Sequence, residues 1–160
     1  MSYSHLDQAD RPGMVDVSAK PITHRSATAE VTVVLGKAIT AELSQDDFQT
    51  KKGSIIQTAV IAATMAAKRT AELIPLCHNI PLSSVKLATE VLADVGLRIK
   101  ATAKTQSNTG VEMEALHAVS VAALTVYDMC KSRSHDIRIT DLKLLEKTGG
   151  KSDYHASEAS

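Results

Sequence analysis

An α+β sandwich, with helices on one face of an antiparallel sheet, is the fold class that the sequence predicts. Three features carry the prediction: β-branched runs, two long alanine-rich segments between them, and a glycine-marked reversal joining two of the runs. With 160 residues the chain fits one domain that can bury a core of its own.

Taken in order, residues 1–13 are polar and unpatterned and read as a flexible tail. MVDVSAKPITHRSAT, residues 14–28, mixes apolar, basic and turn residues without a clear period and reads as an ordered arm. AEVTVVLG, residues 29–36, is β-branched, ends on a glycine and reads as a strand. KKGSIIQTAVIAATMAAKRTAELI then opens on a Gly–Ser start signal. Ile55, Ile56, Ala59, Val60 and Ala63 give it an apolar face over roughly five turns, until Pro75 stops the helix.

SSVKLATEVLA (83–93) and LRIKATAKT (97–105) are strands joined like a hairpin at Asp94, Val95 and Gly96. In NTGVEMEAL, Thr109 as N-cap and Glu112 three residues on predict a capping box. VEMEALHAVSVAALTVYDMC continues as a helix, largely apolar on one side. DIRITDLKLLEK (136–147) is the last strand and ends at Gly149 and Gly150, after which residues 152–160 read as a second flexible tail. A single domain is expected over residues 14–151. Its order, β-α-β-β-α-β, is the split βαβ pattern of a ferredoxin-like sandwich.

Composition excludes several classes. Lysine plus arginine equal aspartate plus glutamate at 18 each, so net charge supplies no argument for a nucleic-acid or membrane partner. One Phe, three Tyr and no Trp leave little on which single-stranded bases can stack. No apolar run is long enough to span a bilayer, and MSYSHLDQADRPG lacks the apolar region of a signal peptide. Cys77 and Cys130 are too few for a disulfide framework and read as reduced thiols, so a cytoplasmic domain is the expectation.

The residues with chemistry to offer each carry a plainer explanation as well. Lys52, Gly53 and Ser54 put a cation beside the free N–H groups of a helix N-terminus, which suits a phosphate; the plainer reading is a solvated lysine before a capped helix. GGKS at 149–152 looks like the end of a P-loop, but Leu145 stands where the motif needs its first glycine and no helix follows. Cys77 and His78, inside LIPLCHNIPLSS, can serve as zinc ligands or as a nucleophile with its base. No CxxC or HxxxH accompanies them, and neighbours in an extended segment point to opposite faces; a buried thiol and a hydrogen-bonded loop histidine are the alternatives. Asp128 and Lys131, at i and i+3 of the second helix, form either an acid/base pair or a plain salt bridge. Glu112 and Glu114 lie in the first turn of that helix, where carboxylates also favour the dipole.

Geometry sharpens the last group. Glu114 and Asp128 lie within roughly 40° around the helix but roughly 21 Å apart along it. One small substrate cannot span both on a single chain. If both act on it, a second subunit must bring the far end of its helix alongside, at a two-fold interface.

MVDVSAK (14–20), KRTAELIPLCHNIPLSSV (68–85), TGVEMEAL (109–116), AALTVYDMCK (122–131) and LLEKTGGKS (144–152), in this order and spacing, resemble the cyclic pyranopterin monophosphate synthases, the molybdenum cofactor biosynthesis protein C family. IPLCH, GVEMEAL and YDMCK together are very specific, and the resemblance runs from Met14 to Ser152. It implies a ferredoxin-like fold, a single catalytic domain over residues 14–151 and a phosphorus–oxygen lyase. That enzyme converts 3′,8-cyclo-7,8-dihydroguanosine 5′-triphosphate to cyclic pyranopterin monophosphate and releases pyrophosphate, its substrate coming from a radical enzyme that acts on GTP. The resemblance further implies a homohexamer, a trimer of dimers with active sites at the dimer interface. No cofactor or protein-held metal is required, although a divalent ion can accompany the triphosphate.

Residue by residue, Asp128 and Lys131 match the family's catalytic aspartate and lysine, and Lys52 the lysine that joins the same site. Leu76, Cys77 and His78 fall on one substrate-contacting loop, Met113 and Glu114 on another stretch, and Glu112 and Arg25 on further site positions. Lys20 and Lys147 are additional phosphate contacts; Lys151 has no assigned role. His117 departs from the pattern, since a smaller residue is usual there. The implied chemistry needs several proton transfers, which Asp128 and Lys131 can provide if a buried interface tunes them. Lys52, Arg25 and His78 can neutralise phosphate charge, and Glu112 or Glu114 can accept from a guanidine-like edge. The rival classes are a ligand-sensing module without chemistry and a structural oligomerisation domain.

Overall fold

The computed structural model describes residues 11–157, so residues 1–10 of the expected N-terminal tail and 158–160 of the expected C-terminal tail lie outside the described residues. In chain order the elements are β1 (Thr23–Val34), α1 (Lys37–Gln45), β2 (Gln49–Thr50), β3 (Gly53–Ser54), α2 (Ile55–Lys68), α3 (Thr70–Leu73), β4 (Leu82–Leu92), β5 (Gly96–Ser107), α4 (Glu112–Cys130), β6 (Arg138–Thr148) and β7 (Tyr154–His155). The main sheet is antiparallel, in the spatial order β4-β5-β1-β6-β7, while β2 and β3 form a separate hairpin. The two middle strands of the four-stranded core, β5 and β1, are the third and first in sequence. That is the ferredoxin-like arrangement.

Alternation explains the sheet. Ala27, Ala29, Val31 and Val33 of β1 and Leu97, Ile99, Ala101 and Ala103 of β5 are fully buried beneath the helices. The helices answer with small residues: Ala59 and Ala63 of α2, and Ala115, Ala118, Ala122 and Ala123 of α4. Alanine contacts let helix and sheet approach closely, so a core with one phenylalanine, Phe48, packs largely with aliphatic side chains. On the opposite face, Glu30 lies between Lys100 and Lys143 at 3.7 and 3.4 Å, a polar surface.

Several boundaries differ from those the sequence predicts. β1 begins at Thr23, so much of the expected arm is strand; its backbone is paired on both sides, with β5 and with β6. The Gly–Ser start is correct, with the Ser54 hydroxyl accepting from Gln57 N at 3.2 Å, but Arg69 leaves helical geometry and splits the long helix into α2 and α3. The capping box does not form. α4 is entered through Val111 with no side-chain cap, because Gly110 and Val111 separate Thr109 from the first turn. The C-terminal segment is not wholly loose: β7 pairs with Glu146 and Lys147, and Ala156 N donates to Leu145 O at 2.7 Å.

Candidate active site

The β5–α4 connection, the loop after α3 and the arm at residues 14–20 meet around one cleft. A cavity of about 300 Å³ is lined there by Leu76, Cys77, His78, Glu112, Met113 and Glu114, together with Val15, Val17, Lys20, Thr109 and Gly110. A second cavity of about 340 Å³ adjoins it, lined by Arg25, Lys147, Lys151 and Gly150 and sharing Lys20, Gly110 and Glu112 with the first. The shared residues make the two cavities halves of one cleft.

The halves have opposite electrostatics. Glu114, in the first turn of α4, is only 4% exposed. Burial lifts its carboxyl to about 7, partly opposed by its own backbone N–H and reinforced by the neighbouring Glu112. Cys77 faces the same environment: burial raises its thiol, and the charge of Glu114 raises it further. A thiol raised in this way is a poor nucleophile. The other half collects the cations Lys20, Arg25, Lys147 and Lys151, with Arg25 oriented by donation from Nε to Ser107 O at 3.0 Å.

Glu112 stands at the junction. Its carboxylate pairs with Lys147 Nζ at 3.3 Å and folds back over Gly110, where any side chain would run into it. Gly149, at φ +82°, lies against His24 O and has no room for a side chain; its carbonyl accepts from the Thr23 hydroxyl at 2.7 Å and its N–H donates to Asp153 at 3.0 Å. These bonds hold residues 149–153 so that Gly150 and Lys151 reach the cationic half.

Lys52, Asp128 and Lys131 form a separate group at the far end of α4. Lys131 Nζ approaches Asp128 Oδ1 at 2.6 Å, and both side chains are more than half exposed. Hydrogen bonding to Lys131 and its charge hold the Asp128 carboxyl below its ordinary value, with a smaller contribution from Lys52, while the same pairing raises Lys131. On one chain, then, seven of the expected site residues share the cleft, and the other three group around Asp128, about 21 Å from Glu114 along the helix at 1.5 Å per residue. The cleft also contains Val15, Val17, Thr109 and Gly110, which side-chain chemistry does not single out. Among the described residues there is no group of three or more side chains suited to hold a metal.

Fold and cleft together define a ferredoxin-like α+β protein whose site is acidic and buried at one end and cationic at the other. The MoaC family model matches residues 14–150, and the chain belongs to that family. It is 51% identical to the cyclic pyranopterin monophosphate synthase of Xanthomonas campestris pv. campestris (strain B100), over 96% of this chain and 93% of that protein. The synthase of Peptoclostridium acidaminophilum is 43% identical over 99% of both chains. Molybdenum cofactor biosynthesis protein 1 of Drosophila melanogaster is 55% identical over 98% of this chain, which spans only 28% of that longer protein.

Proposed function

We propose that this protein is a cyclic pyranopterin monophosphate synthase of molybdenum cofactor biosynthesis. It converts 3′,8-cyclo-7,8-dihydroguanosine 5′-triphosphate to cyclic pyranopterin monophosphate and releases pyrophosphate. The observation that carries this reading is the division of the cleft, a buried carboxylate at one end and four cations at the other. The guanine-derived edge offers two N–H donors that match the carboxylate of Glu114, and Leu76 and Met113 flank the ring system. The triphosphate lies among Lys20, Arg25, Lys147 and Lys151, displacing Glu112 from Lys147.

In the phosphoryl step a ribose hydroxyl attacks the α-phosphorus, a new P–O bond closes the cyclic phosphate, and the bond to pyrophosphate breaks. The cations offset the charge that develops on the leaving oxygens. Asp128 and Lys131, with Lys52, perform the proton transfers of ring opening and closure. On an exposed surface this pair stays fully ionised, so it suits proton transfer only once covered. A two-fold related chain covers it by presenting its own cleft, which makes the site a shared one; the homohexamer implied by the resemblance repeats that dimer three times. A divalent ion travelling with the triphosphate belongs to the substrate, and the chain's own residues supply the remaining chemistry.

No helix among the described residues is long and apolar enough to cross a membrane, and the two free thiols, Cys77 and Cys130, suit the cytoplasm. Incubating the purified protein with the cyclised dihydro-GTP and analysing the product tests the activity. Cyclic pyranopterin monophosphate and pyrophosphate in equal amounts are expected; unchanged substrate, under conditions where a Xanthomonas synthase turns over, would overturn the reading.

A further inference from the structure

Residues 14–20 form one wall of the cleft without regular secondary structure of their own. Two side chains hold them by their carbonyls. His78 donates from Nε2 to Val15 O at 2.7 Å, and Asn108 donates from Nδ2 to Val17 O at 3.0 Å. Because a carbonyl only accepts, the His78 proton must reside on Nε2, and that nitrogen is committed to the arm. The Val17 carbonyl also accepts from Lys20 N at 3.0 Å, closing a turn that delivers Lys20 to the junction of the two halves.

We propose that Asn108 is a positioning residue: by holding Val17 O it fixes the arm as a wall and sets Lys20 where phosphate oxygens arrive. This rests on the cleft being the substrate site described above. Asn108 lies on the short β5–α4 connection, next to Ser107, whose carbonyl orients Arg25. One connection therefore places a cation from the arm and a cation from β1 at the same half of the cleft. A backbone acceptor makes the tether independent of which side chain occupies position 17.

Asn108→Asp removes the donor at constant size, and Asn108→Ala does so without adding charge. Inorganic pyrophosphate, as a competitive inhibitor, probes the cationic half, and amide hydrogen exchange over residues 14–20 reads the arm. In both variants arm exchange should accelerate, while KM and the pyrophosphate inhibition constant rise roughly fivefold, the equilibrium worth of one hydrogen bond. kcat should change less, and exchange in β1 and β5 should match the parent. If Lys20→Ala weakens pyrophosphate but both Asn108 variants leave the arm and the inhibition constant at parent values, the positioning role is wrong and the site reading stands. Faster exchange spreading through β1 and β5 would also overturn it, in favour of a general structural role. If Lys20→Ala too leaves inhibition unchanged, phosphates do not bind there and both readings fall.

Discussion

Glu114 and Asp128 project from the same helix, one buried beside the cleft and the other exposed about 21 Å further along. On the function proposed above, the separation divides a single chain into a binding half and a proton-transfer half, each of which needs the other. The consequences can be tested residue by residue.

Asp128→Ala should abolish turnover by roughly 10²-fold or more, the usual contribution of a general acid or base, while leaving substrate affinity within a few-fold. Rapid-quench kinetics and equilibrium binding measure the two separately. A variant that binds and still turns over at the parent rate would show that Asp128 is not the general acid or base.

Glu114 has a pH signature of definite sign. Its carboxyl rises from the ordinary 4.5 to about 7 in the folded chain. Across that window the folded protein retains a proton that the unfolded chain has released. Its stabilising contribution is therefore complete below about pH 4.5 and falls by about 3 kcal/mol as pH rises through about 7. Glu114→Gln, a neutral isostere, should remove that decline, read as the difference between parent and variant in urea unfolding across the window. The same variant should bind substrate more weakly by roughly tenfold or more, through loss of a charged acceptor.

Cys77→Ser should keep turnover within roughly tenfold of the parent, far from the roughly 10⁶-fold loss that follows removal of a covalent nucleophile. Steady-state kinetics decides between them. The expectation follows from a thiol raised by burial and by Glu114, a setting that disfavours the thiolate.

Gly110→Ala should drive the Glu112 carboxylate off Lys147, since the added carbon occupies the space where that carboxylate folds back. KM and the pyrophosphate inhibition constant should both fall, since Lys147 is then free to meet the phosphates. Glu112→Gln, which loses the ion pair at constant shape, should shift both constants in the same direction; constants equal to the parent's in both variants would show that Glu112 does not restrain Lys147.

Strands and the last long helix were legible because they carry periodic apolar residues: Ala29 to Val33 at every second place, Ala115 to Val126 at helical spacing. The nine-residue α1 was not. Its buried positions are only Thr40 and Leu43, and a threonine hides in a polar stretch. β7 was missed for a related reason, since two residues paired through backbone bonds leave no pattern. The expected capping box at Thr109 and Glu112 used the right residue types, but Glu112 is drawn instead to Lys147 across the cleft, a partner distant in sequence. Among site residues, the charged and sulfur-bearing ones announce themselves by type. Val15 and Val17 act through their carbonyls, so no side chain signals them.

The central claim is that one active site takes its binding half from one chain and its proton-transfer half from another. Co-expressing Glu114→Ala with Asp128→Ala, each inactive alone, tests it most directly. Random pairing restores one intact site in each mixed dimer, so about a quarter of parent activity should return if the site spans a two-fold interface. A mixture no more active than either variant alone would contradict the account, as would full activity in a stable monomer.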